Sequence, residues 1–176
     1  DTIKNKKYGV SWIREDDKGD TWVGTGDGGP FFYDSIARLF QPYTNKWPRS
    51  FSEISSMVHD PQTGFYWLAT DDGLGAYDPS KKVYYHYKNN PLGLPCFNDS
   101  LSGFYAGDLY YNSNCELWMS GWLNNNDVHY FRYNTKTREW LKLKYPSANT
   151  FGFFTDAAGT TWAWGEHLSF YDPKTN

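Results

Sequence analysis

Four tryptophans recur at a nearly constant spacing along this chain. Trp22, Trp67, Trp118 and Trp162 are separated by 45, 51 and 44 residues. Each is followed by a tyrosine and then Asp or Asn: Tyr33-Asp34, Tyr77-Asp78, Tyr133-Asn134 and Tyr171-Asp172. Marks that repeat every 40 to 50 residues are typical of architectures built from stacked supersecondary units. The sequence therefore predicts four structural repeats.

The residues around each Trp predict what one repeat contains. A turn signal rich in Asp, Asn and Gly precedes every Trp, as in Asp16-Asp17-Lys18-Gly19 and Asp156-Ala157-Ala158-Gly159. The stretches between the turns alternate in polarity or are apolar, as strands do, and none offers a helix of three turns. Each repeat reads as a four-stranded antiparallel meander, which is the unit of a propeller blade. We predict an all-β, β-propeller-like fold.

The repeats predict how the 176 residues are organised. We expect one propeller domain or fragment whose repeats cover about 9–46, 51–90, 101–146 and 150–176. The fourth repeat stops after its Tyr-Asp-Pro turn, and residues 1–8 could supply the missing strand. Two arrangements follow: a four-bladed ring closed by the N-terminal segment, or a set of blades that neighbouring blades or a second chain complete into a larger propeller.

Composition removes several classes of function. A net charge of −3 provides no basic surface for nucleic acid. No apolar run is long enough to insert into a membrane. Cys96 and Cys115 flank a predicted strand whose ends lie about 30 Å apart, so we expect free thiols. Neither the cysteines nor the four histidines have metal-ligand spacing, and we expect no metal and no cofactor.

The motif D-x-x-G-x-x-W-x-G-T, followed by D-G-x and Y-D-P, resembles the two-component regulator propeller repeat. Residues 16–25, 67–79 and 156–173 carry the resemblance, and the third repeat is degenerate because Asn112 and Asn114 stand where Asp is usual. The resemblance implies a periplasmic or extracellular sensor region of a hybrid two-component system, with a histidine kinase elsewhere in the full-length protein. The motif indicates a propeller blade but does not indicate which ligand is bound.

One face of such a propeller is the place to look for a ligand. The loops between second and third strands share this face with the loops that lead into the next blade, and binding residues are common on loops of rigid scaffolds. The candidates are Asp27, Trp47, Arg49, Asp71, Asp72, Trp122, Asn124, Asn125, Asp127, Glu166 and His167. Amide and carboxylate groups with stacking aromatics suit a hydroxylated ligand, so we expect an oligosaccharide or a similar polar molecule.

Two alternatives remain open at this stage. A propeller can carry a glycoside hydrolase or lyase, although no catalytic signature occurs and the five arginines do not converge in this register. The repeats could also form a protein-interaction scaffold without a small ligand. We expect the module itself not to be an enzyme. Converging carboxylates in a deep pocket would favour hydrolysis, and an exposed apolar edge would favour assembly.

Overall fold

A computed structural model of the chain describes residues 9–16, 19–25, 29–43, 53–97, 104–122, 128–143 and 150–172. The first sheet, blade 1, contains β1 (Val10–Glu15), β2 (Thr21–Thr25), β3 (Gly29–Asp34) and β4 (Leu39–Pro42). Blade 2 contains β5 (Ile54–Asp60), β6 (Phe65–Thr70), β7 (Gly73–Asp78) and β8 (Val83–Tyr85). Blade 3 contains β9 (Tyr105–Tyr111), β10 (Glu116–Trp122), β11 (Val128–Asn134) and β12 (Trp140–Leu143). Blade 4 contains β13 (Thr150–Thr155), β14 (Thr161–Gly165) and β15 (Leu168–Phe170).

Each blade is an antiparallel meander in which every strand pairs with the next one along the chain. The first strands of consecutive blades contact one another, so β1, β5, β9 and β13 form the inner layer. No helix occurs among the described residues, and hence none there that could cross a membrane. The predicted all-β, propeller-like architecture is confirmed. Residues 1–8, proposed above as a closing strand, lie outside the described residues.

The hydrophobic core lies between blades rather than within them. Side chains alternate across each sheet, so every blade has a front face toward the following blade and a rear face toward the preceding one. Trp67 is on the front of blade 2, where its ring packs against Tyr133 on the rear of blade 3 at a centroid distance of 5.6 Å. Trp22 and Trp118 occupy the same position in blades 1 and 3. The repeated Trp therefore joins each blade to the next.

The repeated turn residues fix the tryptophans by hydrogen bonds. Trp22 Nε1 donates to Asp16 Oδ2 at 3.0 Å, and Trp162 Nε1 donates to Asp156 Oδ2 at 2.8 Å. In blade 3, where Asn112 replaces the Asp, Trp118 Nε1 donates to Glu116 Oε2 at 3.3 Å. The hydrogen bond from the indole is thus kept in blade 3, although its acceptor is a different residue at a different position in the turn.

Positive φ angles occur at equivalent places in the turns. The turns before the Trp strands use glycine at this place in three blades, at Gly19, Gly64 and Gly159. The turns between third and fourth strands instead use basic residues with φ of 53–64°: Arg38, Lys82 and Arg138. A side chain with a Cβ is strained there, and glycine is not.

Every inner strand carries a bulge near its start. The pairing shifts by one residue between Val10 and Trp12, between Ile54 and Ser56, between Ala106 and Asp108, and between Thr150 and Gly152. Bulges bend a strand locally and re-aim the side chains beside them. The inner strand of each blade therefore bends at an equivalent position near its start.

Candidate functional site

Five of the predicted site residues lie at one end of the blades, which we call the upper face. It comprises the turns between second and third strands together with the starts of the inner strands. Asp71 and Asp72 lie in the β6–β7 turn, Trp122 ends β10, and Glu166 and His167 form the β14–β15 turn. The other six predicted residues lie outside the described residues: Asp27, Trp47, Arg49, Asn124, Asn125 and Asp127.

Trp122 forms the aromatic part of the site. Its indole packs beside the ring of Tyr105 at a centroid distance of 5.8 Å. It also covers the bulge residue Gly107, where an added Cβ would lie 2.7 Å from the indole ring. The indole is half-buried, so part of it remains open to solvent. A flat, partly exposed indole held from two sides can stack on an apolar ring face of a ligand.

Two acidic residues of blade 2, Glu53 and Asp71, extend this site beyond Trp122 and Tyr105. The Tyr105 hydroxyl hydrogen-bonds to the carboxylate of Glu53, and burial together with that bond raises the pKa of Tyr105 to about 12. The amide of Glu53 donates to Asp71 Oδ1 at 3.3 Å. Trp122, Tyr105, Glu53 and Asp71, which we call the upper row, therefore connect two blades. Sequence reasoning missed Glu53 and Tyr105 because it searched the loops and stopped before the first residues of the inner strands.

Asp72 points elsewhere. Its carboxylate accepts a hydrogen bond from the Tyr87 hydroxyl at 3.2 Å and lies 3.8 Å from Lys88 Nζ. That ammonium also lies 4.8 Å from the centre of the Tyr87 ring, and both the Tyr87 bond and Asp72 raise the Lys88 pKa. Asp71 and Asp72 are neighbours in sequence but serve separate clusters. Glu166 and His167 are exposed on blade 4, and their role stays a prediction.

The upper row departs from the repeat at the position where Trp122 lies. Counted from the shared bulge, Gly121 is the blade 3 equivalent of Thr25, Thr70 and Gly165, and Trp122 lies one residue further along, at the position of Asp71 and Glu166. Blades 2 and 4 therefore carry an acidic residue where blade 3 carries Trp122. The large aromatic in blade 3 is not required by the architecture, and this signal was already readable in the aligned repeats.

A cavity of about 460 Å³ opens on the opposite, lower face. It lies between the inner strands and is lined by residues that include Arg14, Glu15, His59, Tyr66 and Tyr110. Several of its polar groups already join blades: the Tyr66 hydroxyl donates to Asp16 Oδ2 at 2.7 Å, and the amide of Thr155 donates to the Tyr110 hydroxyl at 3.0 Å. The volume is adequate for a small ligand. The predicted face lies at the other end of the blades.

The remaining sequence expectations concern thiols and metals. Cys96 is buried and Cys115 half-buried, and both are free, as predicted. Burial raises the pKa of the Cys96 thiol, so this group is protonated and unreactive. Within the described ranges, no three His, Cys, Asp or Glu side chains are grouped so as to hold a metal ion.

Comparison with known proteins identifies similar structures. No protein-family model and no curated protein matches the chain. Among solved structures, two of the extracellular domain of BT4673 from B. thetaiotaomicron, named a hybrid two-component system in one and a one-component system in the other, match 98% and 100% of this chain with TM-scores of 0.69 and 0.70 and 17% identity. YCF48, solved with a D1 peptide, matches 93% of this chain with a TM-score of 0.63 and 14% identity. The GH74 enzyme of Niastella koreensis matches 82% with a TM-score of 0.56 and 14% identity.

The fold is that of a β-propeller. At the level of fold, the match to BT4673 agrees with the resemblance to two-component regulator propellers. The chain spans 22% of the BT4673 domain, 52% of YCF48 and 23% of the GH74 enzyme. At these identities the likeness concerns architecture, and function must be argued from the site.

Proposed function

We propose that this chain is a ligand-binding set of blades in an extracellular sensor of a two-component system. The likeness to the extracellular domain of BT4673 over the whole chain supports the sensing role and the extracellular location. The observation that carries a binding role is the upper row, in which a half-exposed indole departs from the repeat. A residue that the blade does not need for its own packing is available for recognition.

The chemistry of the upper row favours an oligosaccharide. Sugars combine an apolar ring face with a rim of hydroxyl groups. Trp122 offers a platform for the ring face, and the carboxylates of Glu53 and Asp71 accept hydrogen bonds from hydroxyls. The lower cavity is the less favoured location, because several of its polar groups are already used between blades.

The test is calorimetric titration of the purified chain against a panel of plant and host oligosaccharides. We expect one class of sugar to bind with micromolar affinity. Trp122→Ala should weaken that binding by about tenfold or more, since buried aromatic anchors carry much of a binding energy. Gly107→Ala, which displaces the indole without removing it, should weaken it as well.

Arg14→Ala is the matched control because it changes the rim of the lower cavity and leaves the upper row intact. Binding lost in Arg14→Ala and kept in Trp122→Ala would overturn the upper row as the site. No binding to any sugar of the panel by a folded chain would overturn the oligosaccharide, while circular dichroism establishes that each variant is folded.

A glycoside hydrolase is the second candidate function. It is favoured by the fold likeness to the GH74 enzyme and by the neighbouring carboxyl-bearing residues Glu53 and Asp71. Hydrolysis of a glycosidic bond uses two carboxyl groups, one of them as an acid. Release of reducing sugar that is abolished in Glu53→Gln, with binding retained, would establish catalysis. Binding without turnover supports the sensor.

A further inference from the structure

The lower cavity departs from the blade repeat at one position. Arg14, Val58, Tyr110 and Phe154 are equivalent residues, because each pairs with the repeated Trp of its own blade. The first three line the cavity of about 460 Å³ between the inner strands. Blades 2, 3 and 4 place an aliphatic or aromatic side chain at this position, whereas blade 1 places a guanidinium. The packing of a blade therefore does not require the cation.

The guanidinium of Arg14 faces the cavity and is accessible there. Because side chains alternate along a strand, Arg14 shares the front face of β1 with Trp12, whose indole bonds to the carbonyl of Ile54 in blade 2. The Arg14 side chain is exposed. It forms no ion pair within 4 Å with any residue that the structure describes. Its N–H donors are thus available to a ligand.

Two acidic residues also line the cavity, and their positions explain why neither is paired with Arg14. Asp16 is already bonded to three donors, which are the amide of Asp20 and the side chains of Trp22 and Tyr66. The side chain of Glu15 is directed by strand alternation to the rear face of β1, away from Arg14. Neither carboxylate therefore occupies the place that an acid group of a ligand would take.

The charge of Arg14 acts across the cavity toward blade 3. Burial raises the pKa of the Asp108 carboxyl, and the Ser56 hydroxyl, which donates to its Oδ1 at 3.1 Å, lowers it together with the charge of Arg14. Asp108 belongs to β9, so the guanidinium is directed inward from β1 and not outward into solvent. A ligand between the two strands would therefore meet the guanidinium from inside the cavity.

The wall facing Arg14 is apolar and firmly held. Val58 and Tyr110 are half-buried, and Met57 and Leu109 lie buried beside them. The Tyr110 ring is fixed because its hydroxyl accepts a hydrogen bond from an amide of blade 4 at 3.0 Å. Such a wall suits the apolar body of a ligand, while a guanidinium suits a carboxylate, which it binds through two parallel hydrogen bonds.

We propose that the lower cavity binds a small carboxylic acid with an apolar or aromatic body, with Arg14 on its carboxylate and Val58 and Tyr110 against its body. This site is separate from the upper row and takes a different class of ligand. An uncharged sugar lacks the anion that a guanidinium recognises, and an apolar acid lacks the hydroxyl groups that the upper row would bind.

A ligand-observed NMR titration of the 176-residue chain with hydrocinnamate, an aromatic carboxylate, tests the proposal. We expect a dissociation constant of about 1 mM or lower, as is reasonable for a ligand of this size. The amide of hydrocinnamate has the same body without the charge and should bind at least about tenfold more weakly. Arg14→Gln should weaken hydrocinnamate binding by at least about tenfold and leave the binding of the amide unchanged.

Arg38→Gln is the matched control, because Arg38 is exposed in the β3–β4 turn of the same blade and does not line the cavity. It should leave the affinity for hydrocinnamate unchanged, and so should Trp122→Ala. No saturable binding by a chain that circular dichroism shows to be folded would overturn the proposal, as would equal affinities for the acid and its amide. Binding lost equally in Arg38→Gln and Arg14→Gln, or lost in Trp122→Ala, would also overturn it.

Discussion

The carboxylate of Asp16 in blade 1 accepts a hydrogen bond from the hydroxyl of Tyr66 in blade 2, at 2.7 Å. The same Oδ2 atom also accepts from Trp22 Nε1. One turn residue thus holds its own tryptophan and the neighbouring blade. Asp16 is therefore a junction residue as well as a turn former.

Removing this bond should loosen the contact between the first two blades. We expect Tyr66→Phe to lower the free energy of unfolding by about 1.5 kcal/mol, as is usual for a lost hydrogen bond to a charged group. Urea denaturation measures the change. Tyr33→Phe, which alters an exposed tyrosine on the rear of blade 1, should change stability by a few tenths of a kcal/mol at most. Equal losses in both variants would contradict the junction role.

Gly24 should not tolerate a side chain. A Cβ at this buried position would overlap the ring of Trp12, whose Nε1 donates to the carbonyl of Ile54 at 2.7 Å. Gly24→Ala should therefore cost about 1–3 kcal/mol by overpacking and by displacing that bond between blades. Gly9→Ala, where an added Cβ meets nothing within 4 Å, is the control. Thermal unfolding of the two variants gives the comparison.

Lys82 should gain stability when its side chain is removed. Its φ of 60° is strained for a residue with a Cβ, and the side chain is exposed. Relief of strain exceeds the entropic cost of glycine, so Lys82→Gly should stabilise the chain by about 0.5–1 kcal/mol. The neighbouring Lys81 has no positive φ, and Lys81→Gly should destabilise it. A loss in Lys82→Gly as large as in Lys81→Gly would refute this reasoning.

Acid should weaken the fold through His86. Burial is the main cause that lowers the pKa of this imidazole, and Lys88 adds to it, while Asp72 opposes it. The unfolded chain therefore binds a proton more readily than the folded one, and stability declines as the pH falls below about 6.5. His86→Phe keeps a ring stacked on Tyr84 but cannot titrate, so its unfolding free energy should depend less steeply on pH. Identical pH profiles for both proteins would argue against this assignment.

The fold could be predicted because the repeat consists largely of residues that determine the local backbone conformation. Asp16 and Gly19 make a turn in any surroundings, and Trp22 follows at a fixed distance, so the local chemistry and the global arrangement agree. Ring closure could not be predicted in the same way. It depends on whether other residues pack against the exposed side chains of Ile13 and Trp164. The sequence pattern of a strand is the same whether or not such a packing partner is present.

The candidate site was predicted only in part. Trp122 was identified from its loop, but Glu53 and Tyr105 were not, because their approach depends on packing between blades 2 and 3. The neighbours Asp71 and Asp72 were grouped although their side chains serve different clusters. Sequence distance carries little information about direction where a chain reverses within two residues.

The bulge shared by all four inner strands lets the start of each strand change in length without changing the paired region that follows. A one-residue slip in a strand normally turns every following side chain to the opposite face. Here one extra residue is already accommodated near the start of each inner strand, before the paired region that contacts neighbouring blades. Segments ahead of the bulge can thus gain or lose residues while the second strands, which carry the repeated Trp, keep their register with the inner strands. Such a scaffold can acquire a new specificity at its upper end without being refolded at its centre.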